Sequence, residues 1–111
     1  MTKKIDENLE LLTLVWLDKF VDATEENRQI QEKLRSKIYH LKSFDNQNDF
    51  LSLIQNEKQL KLFLIVSGQY GRDLIEQIHP FSEIISIFVF CGNKQFNEVW
   101  ANKYSKVIRW F

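Results

Sequence analysis

The fold is decided by two apolar runs, LKLFLIV at residues 60–66 and IISIFVFC at residues 84–91. After Lys61, the first run is apolar at odd and even positions alike, and the second run is nearly continuous. A strand that is covered on both faces has this pattern, because neither of its sides meets water. Such strands belong to parallel sheets whose strands are joined by crossing helices. We therefore predict an α/β protein with a mainly parallel sheet.

Outward from these runs, strand-like and helix-like patterns alternate along the chain. Further strands are predicted over residues 9–17, 39–44 and 107–111. The first helix is predicted to follow a cap at Thr24, and the second a cap at Asn48 or Asp49. Two more helices are predicted over residues 73–79 and 95–105. Residues 67–71 are predicted to form a loop. Five strands and four helices favour a three-layer sandwich in the flavodoxin/receiver-like order 2-1-3-4-5, with the fifth helix of that fold missing.

The length, charge and cysteine content limit the functional classes to which this chain can belong. The 111 residues fit one domain, which we place at 9–111 after an extension at 1–8. Fifteen basic residues balance fifteen acidic ones, so no net field attracts nucleic acid or a membrane surface. The one cysteine excludes an intramolecular disulfide. Together with the lack of a signal peptide, it leads us to expect a cytoplasmic protein.

Several short motifs resemble a receiver-like module of animal multidomain proteins. The resemblance spans about residues 13–110 and rests on the following residues: Val15-Trp16-Leu17-Asp18, Glu26-Asn27, Leu34-Arg35, Leu64-Ile65-Val66-Ser67-Gly68, Ile78-His79, Ser86-Ile87 and Trp100-Ala101. Proteins with this module carry tetratricopeptide repeats or a mono-ADP-ribosyltransferase domain elsewhere in the chain. The resemblance implies one domain of a longer protein and supplies no activity.

The pattern is also similar to response-regulator receiver domains, which use an acidic pair and a phosphate-accepting aspartate. Asp18 matches one acidic position after the first strand, but position 67, where the phosphoacceptor falls, is Ser. Cys91 stands where a receiver has Ser or Thr. A single carboxylate provides too few oxygen ligands for a typical magnesium site. The sequence therefore predicts a receiver-like scaffold that is not phosphorylated.

A candidate ligand crevice lies where the predicted strands end. In open α/β sheets, ligands bind beyond the carboxyl ends of the strands, where glycine permits close approach of a bound anion. The residues placed there are Asp18, Ser67, Gly68, Gly71, Arg72, Gly92 and Asn93. Each has a structural alternative: the glycines serve tight turns, and Asp18 braces the following loop instead of acting as a base or metal ligand.

The remaining reactive side chains form no catalytic set in the sequence. Cys91 is read as a structural cysteine, because His40 and His79 lie on other elements. His79 is read as a helix-end residue that interacts with the helix dipole. We accordingly predict no enzyme activity, no metal site and no cofactor.

A sheet with helix 1 alone on one of its faces would expose apolar side chains from strands 1, 3, 4 and 5, and such a surface usually marks an interface. Trp110 and Phe111 are candidate interface residues near the fifth strand, and the segment at residues 2–10 is a second candidate cover. The sequence thus favours a non-catalytic interaction or regulatory module of a signalling or effector protein. Its partner would be a neighbouring domain of the parent chain or a second copy. The alternative is a small-molecule domain that binds or processes nucleotides or NAD in the crevice.

Overall fold

The computed structural model describes residues 13–37, 40–57, 60–90 and 94–110, and it alternates strands with helices. The strands are Thr13–Leu17 (β1), His40–Phe44 (β2), Leu62–Ser67 (β3), Ile84–Phe90 (β4) and Val107–Trp110 (β5). The helices are Glu25–Lys37 (α1), Gln47–Asn56 (α2), Gly68–Ile78 (α3) and Lys94–Ala101 (α4).

The sheet is parallel, and its strands lie in the order β2-β1-β3-β4. Beside β4, the short β5 pairs in parallel at Val107 and Trp110, with a register shift between Ile87 and Phe88. The predicted α/β class and the order 2-1-3-4 are confirmed, and the order is compatible with a flavodoxin-like sheet. This topology brings the carboxyl ends of β1 and β3 side by side.

One face of the sheet holds the larger core, which packs against α2, α3 and α4. Val15, Leu64 and Ile87 contribute from neighbouring strands, and each is fully buried. Phe50 of α2 and Ile78 of α3 close over them. A fully buried side chain of this size contributes roughly 1.5–3 kcal/mol, so this face supplies most of the hydrophobic stabilisation.

The other face is covered by α1 among the described helices. Its core contains Trp16 and Val21, with Ile30 and Leu34 of α1 packed against them. Trp16 is 1% exposed, so α1 covers β1 well. The aromatic side chains of β3 and β4 on this face, Phe63, Phe88 and Phe90, are only half-buried. The predicted exposure of apolar side chains therefore holds for β3 and β4 and is wrong for β1.

Helix α1 is held in place by polar contacts at its start and along one side. The Thr24 hydroxyl accepts a hydrogen bond from the Asn27 backbone N–H at 3.0 Å, which confirms the predicted cap. Gln31 is buried and donates to the Val21 carbonyl at 2.8 Å, and its own side-chain oxygen accepts from Ser43 at 2.7 Å. These bonds tie α1 to the loop before it and to β2.

Three predicted boundaries are corrected by the structure. Residues 67–71, predicted as a loop, start α3 at Gly68, because the Ser67 hydroxyl accepts from the Tyr70 N–H and caps the helix. Helix α2 is capped by Asn46, whose side chain accepts from the Asp49 N–H, and not by Asn48 or Asp49. Helix α4 ends at Ala101 instead of reaching 105.

Some predictions fall outside the described residues. These concern the extension at 1–8, the start of the first strand at 9–12, Tyr39, Cys91 and Phe111. In the part of the chain that the structure describes, no helix combines the length and the apolar character needed to cross a bilayer.

Replacing the cap of α3 should lower the stability of the fold. Ser67→Ala removes the acceptor for the Tyr70 N–H, and the loss of such a cap costs about 1 kcal/mol. Urea unfolding should show the lower free energy of unfolding with an unchanged slope. The control is Ser52→Ala, an exposed position inside α2, which should show no loss. Equal stability of the two variants would contradict the assigned helix start.

Candidate functional site

The carboxyl edge of the sheet brings two of the predicted site residues together. Leu17 is in register with Val66, so Asp18 and Ser67 follow on adjacent strand ends. Gly68 and Gly71 lie in the first turn of α3, and Arg72 lies just beyond them. Gly92 and Asn93 fall outside the described residues. The structure therefore places part of the predicted crevice at one edge.

Asp18 is built into the turn that follows β1. It is 6% exposed, and its Oδ1 accepts from the Phe20 backbone N–H at 2.9 Å. Its own N–H donates to the Phe44 carbonyl, and its carbonyl accepts from the Val21 N–H, both at 3.0 Å. An aspartate that bonds the backbone two residues on stabilises a turn. These contacts match the bracing role that the sequence analysis set beside the catalytic one.

Ser67 and Tyr70 are likewise engaged within the fold. The Ser67 hydroxyl accepts from the Tyr70 N–H at 3.2 Å. The Tyr70 phenol donates to the carbonyl of Asp45, just after β2, at 2.9 Å. Tyr70 thus links the start of α3 to the segment after β2, and its ring packs against the larger core. The Ser67 hydroxyl acts here as a helix cap.

The two glycines of α3 allow α4 to pack closely. A Cβ at Gly68 would lie 2.8 Å from the side-chain oxygen and nitrogen of Asn97. A Cβ at Gly71 would lie 2.7 Å from Cη2 of Trp100 and 3.1 Å from Cγ1 of Val66. Asn97 is itself buried and accepts from the Trp100 indole N–H at 2.9 Å. Close packing of the two helices is a sufficient reason for glycine at both positions.

Charged and metal-binding side chains complete the description of the edge. Arg72 is exposed, and its Nε lies 3.7 Å from Oδ1 of the adjacent Asp73. Within the described ranges, no three His, Cys, Asp or Glu side chains cluster closely enough to hold a metal ion. His79 lies at the opposite end of α3, away from this edge, and packs against the Tyr104 ring with a centroid distance of 4.9 Å.

Among the described residues, Lys106 has a shifted pKa, and it lies away from the carboxyl edge. Burial lowers the pKa of Lys106, which precedes β5, while the charge of Glu83 acts in the opposite direction. Lys106 donates to the Phe81 carbonyl at 2.6 Å, before the start of β4. Both groups lie at the amino ends of the strands, so this shift does not bear on the predicted crevice.

An apolar cavity lies on the sheet face beside α1. Its volume is about 140 Å³ and its lining is entirely apolar. The sequence predicted exposed apolar side chains on this face but not the cavity. Its walls are Trp16, Ile30, Leu34, Ile65 and Phe90. We call this cavity, together with the adjoining rings of Phe63 and Phe88, the β3–β4 slot. The rings pack on one another, Phe63 on Phe88 at 6.4 Å and Trp16 on Phe90 at 5.6 Å.

Trp16, one wall of the slot, carries a buried polar group. Its indole N–H has no hydrogen-bond acceptor among the described residues, and it adds no polar surface to the apolar lining of the slot. A buried donor left unpaired costs roughly 1–3 kcal/mol. A second cavity, on the opposite flank of α1, is lined by polar side chains; there Arg28 pairs with Glu25 at 3.1 Å and donates to the Asp22 carbonyl. The two cavities beside α1 therefore differ in the chemistry of their walls.

The fold and these contacts define an α/β protein with a parallel sheet, one face of which is incompletely covered by the described residues. Comparisons of the chain with protein-family models, curated proteins and solved structures find no match. The function must therefore be argued from the residues themselves.

Filling the space at Gly71 should destabilise the contact between α3 and α4. Gly71→Ala gains up to about 1 kcal/mol in helix propensity but overpacks against Trp100, which typically costs 1–3 kcal/mol, so a net loss is expected. Gln69→Ala, exposed in the same turn, should show no loss. Thermal unfolding measures both. A second change, Trp100→Phe, shortens the opposing ring and should recover part of the loss in the double variant. Failure to recover any would contradict this packing account.

Asp18 should respond to substitution as a bracing residue. Asp18→Asn keeps a side-chain oxygen to accept from the Phe20 N–H, so stability should change little. Asp18→Ala loses the acceptor and should lower the free energy of unfolding by about 1 kcal/mol. Chemical denaturation compares the two. If both variants lose stability equally, the hydrogen bond is not what Asp18 contributes, and its charge becomes the feature to pursue.

Proposed function

We propose that this domain is a non-catalytic, receiver-like interaction module that docks an amphipathic helix in the β3–β4 slot. The observation that carries the proposal is the half-covered sheet face, on which aromatic side chains of β3 and β4 remain accessible beside α1. A sheet face beside a packed helix accommodates a second helix, as in layered α/β folds.

Charge beside the slot suggests the chemistry of the partner helix. Ile30 and Leu34 line the slot from α1, whereas Gln31 turns toward β2, where it bonds Ser43. At 100° per residue, the flank of α1 toward the slot carries exposed Glu26 in the first turn and exposed Lys33 and Lys37 farther along, so its carboxyl-terminal half is basic. A helix with an acidic flank would complement them. The partner proposed is thus an amphipathic helix with acidic residues on one side.

The proposal places this helix in a neighbouring domain of a longer signalling or effector protein. That context comes from the resemblance to the receiver-like module of multidomain proteins. We also propose the complete five-stranded flavodoxin/receiver-like order, with Val107–Trp110 as the fifth strand. A role for the strand-5 edge through Trp110 and Phe111 stays a prediction.

The nucleotide- or NAD-type crevice remains the alternative function. Its residues Asp18, Ser67 and Gly68 make contacts within the fold that account for their presence. No contact in the described part of the chain favours a ligand there over these structural roles. The titration below still separates the two functions, because the crevice lies at the carboxyl edge of the sheet and the slot lies on one of its faces.

A lysine in the slot should abolish docking. The probe is a synthetic amphipathic leucine–glutamate helix, titrated into isotope-labelled protein and followed by NMR. Shift changes should cluster at Ile65, Phe88 and Phe90, and Phe63→Lys should remove them, because a charge buried under an apolar helix is strongly unfavourable. The matched control is Val99→Lys on the opposite side of the molecule, which should bind as the parent does.

Three results would overturn the docking proposal. One is equal binding of the probe by Phe63→Lys and Val99→Lys. Another is tight binding of NAD, ATP or ADP-ribose with shifts at Asp18 and Ser67, which would favour the crevice. A third is concentration-dependent dimerisation in sedimentation that Phe63→Lys removes, which would make a second copy the occupant in place of a partner helix.

A further inference from the structure

We infer that the cavity of the β3–β4 slot binds a small aromatic carboxylate, with the ring between the apolar walls and the carboxylate beside Lys33 and Lys37. The inference goes beyond the docking function and stands without it, because it needs the cavity and the two lysines alone. One consequence rests on the proposed function: a ligand in the cavity would compete with a docked helix for the same walls.

The volume of the cavity suits one aromatic ring. It measures about 140 Å³, and an apolar cavity of about 150 Å³ is known to bind benzene. A long acyl chain or a nucleotide needs more space than this. The cavity is also partly open, so a short acid side chain on the ring can reach the charges beside it.

The walls favour an apolar ring as the occupant. Trp16 and Phe90 meet edge to face with ring centroids 5.6 Å apart, and Ile30, Leu34 and Ile65 supply aliphatic groups. A further ring gains edge-to-face or offset-stacked contacts with aromatic walls of this sort. A water molecule gains little there, because an ordered buried water typically makes about three hydrogen bonds and this lining offers none.

Positive charge lies beside the wall of the cavity that α1 forms. Lys33 lies three residues after Ile30 and directly before Leu34, and Lys37 lies three residues after Leu34. Residues three or four apart are neighbours on a helix surface, so each lysine is within one turn of a residue that lines the cavity. Both lysines are exposed, and their long stems can lie along apolar surface while the ammonium groups stay in water. They can therefore meet an acid group at the edge of the cavity.

The sign of the charges around the cavity selects an anion. β1, β3 and β4 contain no charged residue, so among the elements that line the cavity only α1 contributes charge. Glu26 lies four residues before Ile30, at the end of α1 that follows the carboxyl end of β1. Its charge repels a carboxylate there and favours the lysine end. Exposed ion pairs are individually weak, so they orient the ligand while the ring supplies most of the affinity.

The direct test is a titration of the isotope-labelled full chain with phenylpropionate, followed by NMR. We expect saturable shift changes of the methyl groups of Ile30, Leu34 and Ile65, with nuclear Overhauser contacts between these methyls and the ligand ring. Shift changes confined to residues outside the cavity, or changes that do not saturate, would overturn the inference. The measurement needs no variant, so it is independent of any loss of folding.

A variant that fills the cavity tests the position of the ring. Ile65→Phe places a larger side chain in the space that the ligand ring would take, so the saturable shifts of Ile30 and Leu34 should disappear. The matched control Ile85→Phe makes the same change at an exposed position of β4 and should bind as the parent does. Thermal unfolding establishes that both variants are folded. Equal binding by the two variants would place the ligand elsewhere and overturn the inference.

Variants at exposed positions test the placement of the carboxylate without disturbing the core. Lys33→Gln with Lys37→Gln should weaken phenylpropionate binding by roughly two- to tenfold. Phenylpropanol, which has the same ring and no charge, should bind the parent and this variant equally. The control Lys103→Gln changes an exposed lysine that follows α4 and should weaken neither ligand. An equal loss for the acid and the alcohol would contradict the placement beside Lys33 and Lys37.

The two proposals fail in different ways. If phenylpropionate binds in the cavity and the leucine–glutamate helix does not bind, the ligand inference stands and docking is wrong. If the helix binds and phenylpropionate gives no saturable shifts, docking stands and the ligand inference is wrong. Where both bind, saturating phenylpropionate should weaken binding of the helix, and independent binding would overturn the expected competition.

Discussion

The handedness of the crossovers is the constraint on which the rest of this structure depends. A right-handed connection from β1 to β2 places α1 on one face of the sheet. The chain then reverses direction across the sheet to reach β3 and β4, and the same handedness places the following helices on the other face. The topology therefore places more of the described helices on one face of the sheet than on the other. The β3–β4 slot lies where the sparsely covered face extends beyond the reach of α1.

Crowding on the opposite face explains why glycine occurs where it does. Helices α3 and α4 lie so close together that Gly71 faces the Trp100 ring and Gly68 faces Asn97. The bond from the Trp100 indole to Asn97 then satisfies two buried polar groups at the contact. In a strand-to-helix turn of this kind of fold, the same glycines are also what a phosphate site would use. Here the packing of α4 against α3 accounts for both glycines, and their position in the sequence alone would not distinguish this role from phosphate binding.

Much of the fold could be predicted from the sequence, because apolar runs on both parities identify buried parallel strands. The Thr24 cap of α1 was likewise correct, since its pattern is local. The start of α3 could not be predicted, because glycines such as Gly68 and Gly71 usually indicate a loop. In the structure they lie inside the helix, where their small size lets Asn97 and Trp100 pack closely. Asp18 could be placed at the edge, but its bond to Phe20 depends on turn geometry that no spacing specifies.

The bonds of Gln31 have a consequence for recognition. Its side chain donates to Val21 and Asp22 and accepts from Ser43, which locks α1 sideways against β2. Helix α1 cannot slide across β3 to cover the half-buried rings of Phe63, Phe88 and Phe90 without breaking these hydrogen bonds. The distance between α1 and β3 is therefore fixed by contacts that lie on the other flank of the helix. In the docking function proposed above, such preorganisation would reduce the entropy lost on binding.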